Sequence, residues 1–183
     1  QRRIPARRRR RRRRRLARVA DTVRVAFPVA EWLFDGNGIT SVEFADLATI
    51  QFSGRFFRTI AFSPSNNEYA TIVRRVPEDI PQGVRPRLVV HGFYLGGPPD
   101  GVLRLETGVT RLAYSGQPAV QHLTVAHLAP IVRDTGTQIA LWLDPAQLLA
   151  GALVGVRLRR NGLLNEDTVD GVDFHVLDAE LVW

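Results

Sequence analysis

From Val23 onward, apolar and polar positions alternate with the two-residue period of half-buried strands far more often than with the 3.6-residue period of a helix. Val23, Val25, Phe27 and Val29 open the series. Pro28 inside it predicts a strand end or a sheet edge, since proline has no N–H for a ladder. The turn run Asp35-Gly36-Asn37-Gly38 precedes strand candidates at residues 39–44 and 48–52. In residues 56–62 both faces are largely apolar, Phe56, Arg58, Ile60 and Phe62 on one and Phe57, Thr59 and Ala61 on the other, which predicts a core strand. Residues 87–95 and 102–112, joined by Gly96-Gly97-Pro98-Pro99-Asp100-Gly101, predict a hairpin.

Further strand candidates fall at residues 69–76, 120–132, 138–143, 153–159 and 171–183, and only Pro145 to Ala150 predicts a helical turn. Two strands disclose their inner face. Val154, Val156 and Leu158 oppose Arg157 and Arg159. In the last strand Val172, Phe174 and Val176 oppose Asp173 and His175, then the phase inverts so that Leu177, Ala179, Leu181 and Trp183 oppose Asp178 and Glu180. That inversion predicts a β-bulge near Val176-Leu177, and the pattern running to Trp183 predicts a last strand paired into a sheet.

Eight to ten short strands with Gly-, Pro- and Asn-rich turns predict an all-β fold, a single jelly-roll β-sandwich of two antiparallel sheets, although strand order is not encoded in periodicity. There is no internal repeat at solenoid or propeller spacing. No apolar run approaches the roughly 20 residues of a membrane-spanning helix, so no membrane insertion is expected.

Charge adds a second object. All 25 cations are arginine, and twelve of them, Arg2, Arg3, Arg7, Arg8, Arg9, Arg10, Arg11, Arg12, Arg13, Arg14, Arg15 and Arg18, lie in the first eighteen residues, where there is no acid. The remaining 13 face all 18 acids, so a basic N-terminal arm precedes a body of net charge −5. The division reads as an arm at residues 1–20 and a folded domain at residues 21–183. Like charges at this density have no apolar face to bury, so a free arm is expected to be disordered. Guanidinium groups fork onto phosphate and release counterions, so these twelve arginines are the candidate nucleic-acid-binding residues, with no discrimination between DNA and RNA. Nuclear import is a second use open to the same run.

The chemistry of catalysis is poorly represented. Without cysteine there is no thiol nucleophile, disulfide or Cys-ligated zinc, and without lysine there is no phosphate-binding G-x-x-x-x-G-K-[ST] loop. Ser53-Gly54 and Ser115-Gly116 lack a nucleophile elbow. His122 and His127, five apart in a strand-like run, point to opposite faces, His91 sits among apolar neighbours as a core or half-buried residue, and His175 falls on an outer face. Glu166, Asp167, Asp170 and Asp173 cluster before the last strand without EF-hand spacing and are expected to be solvated or to meet Arg157 to Arg160 of a neighbouring chain. No enzyme, catalytic residue, metal site or cofactor is expected.

An arginine-rich arm, Arg2 to Arg18, followed by an all-β body from Val23 to Trp183 resembles the coat proteins of small icosahedral viruses such as circoviruses and plant satellite viruses. The resemblance implies a capsid subunit that self-assembles as a homo-oligomer into a T=1 shell. It further implies genomic DNA or RNA packaged by the arm, a host receptor as a further partner, and localisation in the virion with passage through the host nucleus. The alternative reading of the residues is a non-capsid nucleic-acid-binding or accessory β-sandwich module with a basic tail.

Overall fold

In the computed structural model, strands begin where the alternation does. The structure describes residues 22–32, 43–44, 46–52, 54–81, 83–112, 120–121 and 125–183. In chain order the strands are β1 (Arg24–Pro28), β2 (Glu43–Phe44), β3 (Asp46–Phe52), β4 (Arg55–Phe62), β5 (Asn67–Arg75), β6 (Arg87–Phe93), β7 (Asp100–Arg111), β8 (Val120–Gln121), β9 (Val125–Val132), β10 (Thr137–Trp142), β11 (Leu153–Asn161) and β12 (Phe174–Val182). Two single 3-10 turns, Val29–Glu31 and Pro145–Gln147, are the helical elements among the described residues. The Asp35 to Gly38 turn, most of residues 39–44, Ser53, Ser115-Gly116 and His122 lie outside the described residues.

One sheet runs β10-β6-β12-β4-β3, with β1 also against β12, and the other runs β2-β5-β11-β7-β8, with β9 also against β7. Strands β4, β5, β6, β7, β9, β10, β11 and β12 are the eight principal ones. In chain order they alternate as first-eighth-third-sixth in one sheet and second-seventh-fourth-fifth in the other, which is the jelly-roll order. The chain is therefore an all-β, single jelly-roll sandwich. Apart from a two-residue parallel contact of β2 with β5, the pairings are antiparallel.

The expected hairpin of β6 with β7 does not form. Strand β6 pairs with β10 and β12, whereas β7 pairs with β11, β8 and β9, so residues 94–99 cross from one sheet to the other. Tyr94 pins this crossing: its hydroxyl donates to the Pro98 carbonyl at 3.0 Å and its own carbonyl accepts Asp134 N–H at 3.0 Å. Two apolar runs around a glycine- and proline-rich loop look the same whether the strands are neighbours or face each other across a core.

The bulge is where the alternation placed it. Between Val176 and Asp178 the register of β12 against β6 shifts, so Phe174 and Val176 before it and Ala179 and Leu181 after it all face inward. The bulge also divides the opposite edge of β12 between Ile60 to Phe62 of β4 and the whole of β1. Pro28 ends β1, and Trp183 N–H donates to the Val23 carbonyl at 3.0 Å, closing the last strand onto the first. Beyond Ile60, β4 overhangs β12 and pairs with β3 alone, which leaves Phe56 at 74% exposure and corrects the reading of residues 56–62 as core throughout.

Facing side chains of the two sheets merge into one apolar cluster from Phe27 through Ile60, Phe62, Ile72, Leu88, Leu105, Leu141 and Val156 to Trp183. Each such side chain contributes about 1.5–3 kcal/mol by leaving water. At one end of this core lies a cation: Arg160, on the inner face of β11, is fully buried.

Candidate ligand-binding site

The residues singled out from the sequence separate into three groups. Arg2, Arg3, Arg7 to Arg15 and Arg18 lie outside the described residues, as does the whole of residues 1–21. The loop acids do have partners, but within the same chain. Asp167 is buried and forks onto Arg160, while Glu166 pairs with Arg104, so the expected pairing with a neighbouring chain is corrected. Among the described residues no three His, Asp or Glu side chains converge as metal ligands.

The histidines take structural positions. His175 is buried rather than exposed on an outer face, stacked on Phe93 with ring centroids 5.6 Å apart and with Nδ1 3.2 Å from Thr59 Oγ1. Burial holds its imidazole below the usual range, partly offset by the Asp173 carboxylate. His91 is half-buried, its Nε2 4.0 Å from Asp178 Oδ1, beside a groove of about 480 Å³ between β1 and β12 that also presents Glu180. Glu180 is already engaged by Arg24 at 2.7 Å, so this groove offers an isolated His–Asp contact with no nucleophile beside it.

A different surface combines an aromatic ring with free cations. Trp142 ends β10 in the phase of Gln138 and Ala140, opposite to the buried Ile139 and Leu141, and is 41% exposed. The register aligns it with Arg87 of β6, which aligns with Val182 of β12, so these three side chains form one row on the outside of the sheet. Leu143 N–H donates to the Pro86 carbonyl at 3.0 Å and holds the two strand ends together beside Arg85.

Both guanidinium groups lie over the indole, with Cζ of Arg85 at 5.5 Å and of Arg87 at 5.8 Å from the ring centroid. Val84, Val182, Trp183 and Thr22 complete a cleft of about 340 Å³, at the small end of the roughly 300–1,000 Å³ range for ligand clefts. No Asp or Glu side chain lines it. Behind it His127 faces the sandwich interior. Burial holds its imidazole below the usual range, opposed by a hydrogen bond with the Trp142 backbone and reinforced by the positive charge of Arg85.

Neither Trp142 nor the Arg85–Arg87 pair was identified from the sequence. The signal was present in two alternations: an aromatic residue in the outward phase of 138–142, and two arginines two apart, the second of them opposite Trp142.

No protein-family model and no curated protein matches the chain. Solved structures do match in fold. One holds the CBM22-1 and GH10 modules of endo-1,4-β-D-xylanase 10B from Clostridium thermocellum complexed with xylohexaose, with a TM-score of 0.48 and 15% identity over 86% of this chain and 28% of that one. Another is the CBM22-2 xylan-binding domain of Paenibacillus barcinonensis Xyn10C, with a TM-score of 0.46 and 12% identity over 87% and 97%. A third is a xylan-binding domain from CBM 22, with a TM-score of 0.45 and 11% identity over 86% and 92%. The chain thus spans less than a third of the first of these proteins and nearly all of the second and third.

These similarities correct the capsid expectation. The three solved structures just described are a xylanase with CBM22-1 and GH10 modules and two xylan-binding domains, and none of the three is a shell subunit, so the self-assembling icosahedral shell and the packaged genome are withdrawn, as are nucleic acid and a homo-oligomeric shell as partners. The physical reason is that a basic tail on a jelly roll specifies neither: the fold serves many unrelated tasks, and function resides in the site it carries.

Proposed function

We propose that the chain is a non-catalytic accessory β-sandwich module with a basic tail, and that its sandwich binds a saccharide at the Trp142 cleft. The observation that carries this reading is the placement of an exposed indole at a strand end, inside a cleft whose other polar side chains are donors and a hydroxyl. An aromatic ring offers apolar contact to the C–H surface of a sugar, and guanidinium N–H groups donate to ring oxygens and hydroxyls. The cleft lacks the nucleophile and convergent acid–base pair of a catalytic centre.

The test is titration of the full chain with xylohexaose and with an acidic oligosaccharide, following the indole N–H resonance of Trp142 by NMR. Saccharide-dependent shifts that disappear in Trp142→Ala, with the oligosaccharide recovered intact, support the reading. Absence of any shift with either sugar, or release of shortened sugars, overturns it.

A further inference from the structure

The charge around Trp142 narrows the ligand further. We infer that the Trp142 cleft recognises an anionic saccharide, a chain bearing carboxylate groups such as a uronate oligomer, with Arg85 and Arg87 as the residues that select it. This rests on the reading of the cleft as a saccharide site and specifies which saccharide it takes.

Two observations carry it. First, of the thirteen arginines beyond Arg18, Arg24, Arg74, Arg104, Arg133, Arg159 and Arg160 have a carboxylate partner within the chain, and among the seven that have none among the described residues Arg85 and Arg87 are the two that lie over one and the same ring. Two cations side by side in a cleft lined by no Asp or Glu side chain create a local positive potential that an anion relieves. Second, a guanidinium lying over an aromatic ring keeps its N–H edge, so its planar fork remains available for two parallel hydrogen bonds to a carboxylate.

The experiment uses the full chain, titrated by NMR and calorimetry with tri-galacturonate, with xylohexaose and with a short oligothymidylate, at fixed ionic strength. Tri-galacturonate should shift the Trp142 indole and bind about tenfold or more tightly than xylohexaose, the scale expected for gaining charge-assisted hydrogen bonds. Arg85→Gln with Arg87→Gln should abolish that preference while circular dichroism stays unchanged, and Arg85→Lys with Arg87→Lys should retain only part of it, because lysine keeps the charge but not the planar fork. Arg55→Gln, on the distant overhang of β4, should leave it intact.

Equal affinity for the neutral and acidic sugars overturns the inference while leaving the saccharide reading standing. So does an acidic preference that survives the double Gln variant. Perturbation of Trp142 by oligothymidylate more strongly than by uronate also overturns it, assigning the cleft to nucleic acid. Silence of Trp142 toward both sugars overturns the underlying reading and this inference together.

Discussion

Arg160 and Asp167 close on one another in the interior, with Nε 2.9 Å from Oδ2 and Nη2 3.0 Å from Oδ1, both side chains almost wholly out of water. The remaining guanidinium protons go to the carbonyls of Phe62, Val172 and Val169, while Asp167 also accepts the N–H of Val169 and of Arg104. One cation thus joins β4 and β11 to the 162–173 loop. Removing one partner strands the other charge, so Asp167→Ala should cost about 3–5 kcal/mol in urea unfolding. Arg160→Met with Asp167→Leu should recover much of that loss. A double variant as unstable as the single one would mean that the loop carbonyls, not the charge pair, dominate.

Gly92 sets the spacing between β6 and β12. A Cβ there would lie 2.5 Å from Phe174 Cζ and 2.6 Å from the His175 carbonyl, and the carbonyl belongs to a paired strand that has nowhere to retreat. Gly92→Ala should therefore destabilise by about 1–3 kcal/mol or more through overpacking. Adding Phe174→Leu should relieve the ring contact but not the backbone one, giving partial rescue in thermal melts.

How far the sequence discloses this molecule depends on the range of the forces involved. The inner residues of β11 and β12 and the bulge at Val176-Leu177 are local patterns and can be read directly. Which strand sits beside which is a long-range property, and the apparent β6–β7 hairpin shows the consequence: the local pattern is correct and the partners are different. Arg160 is in the inward phase with Val154, Val156 and Leu158, yet its charge marks it as exposed until Asp167 is brought to it by the loop. The Trp142 cleft depends on three strands and a loop meeting at one end of a sheet, so its members carry no shared motif.

Asp144 organises the turn after Trp142. Its Oδ1 accepts Ala146 N–H at 2.9 Å and its Oδ2 accepts Gln147 Nε2 at 3.2 Å, seating Leu148 in the core. Asp144→Ala should cost about 1 kcal/mol, in the range for a lost N-terminal cap, and Asp144→Asn much less. Because Asp144 is not part of the cleft lining, the Trp142 indole resonance should still respond to saccharide in both variants.

Stability should also depend on pH through the two histidines whose burial depresses their folded-state pKa, His175 and His127. Near and above the unfolded value of about 6.5 both states hold them neutral and stability is full. As pH falls below that value the unfolded chain takes up protons that the folded one resists, so stability declines, and the decline levels off once the folded values are passed. The slope is at most about 1.4 kcal/mol per pH unit for each histidine. Urea midpoints measured from pH 7.5 to 5 should fall for the wild type. In His175→Gln, where Thr59 Oγ1 keeps a polar partner, the fall should be shallower. An identical pH profile for this variant would show that His175 is freely protonated inside the sandwich, against its enclosure by Phe93 and Thr59.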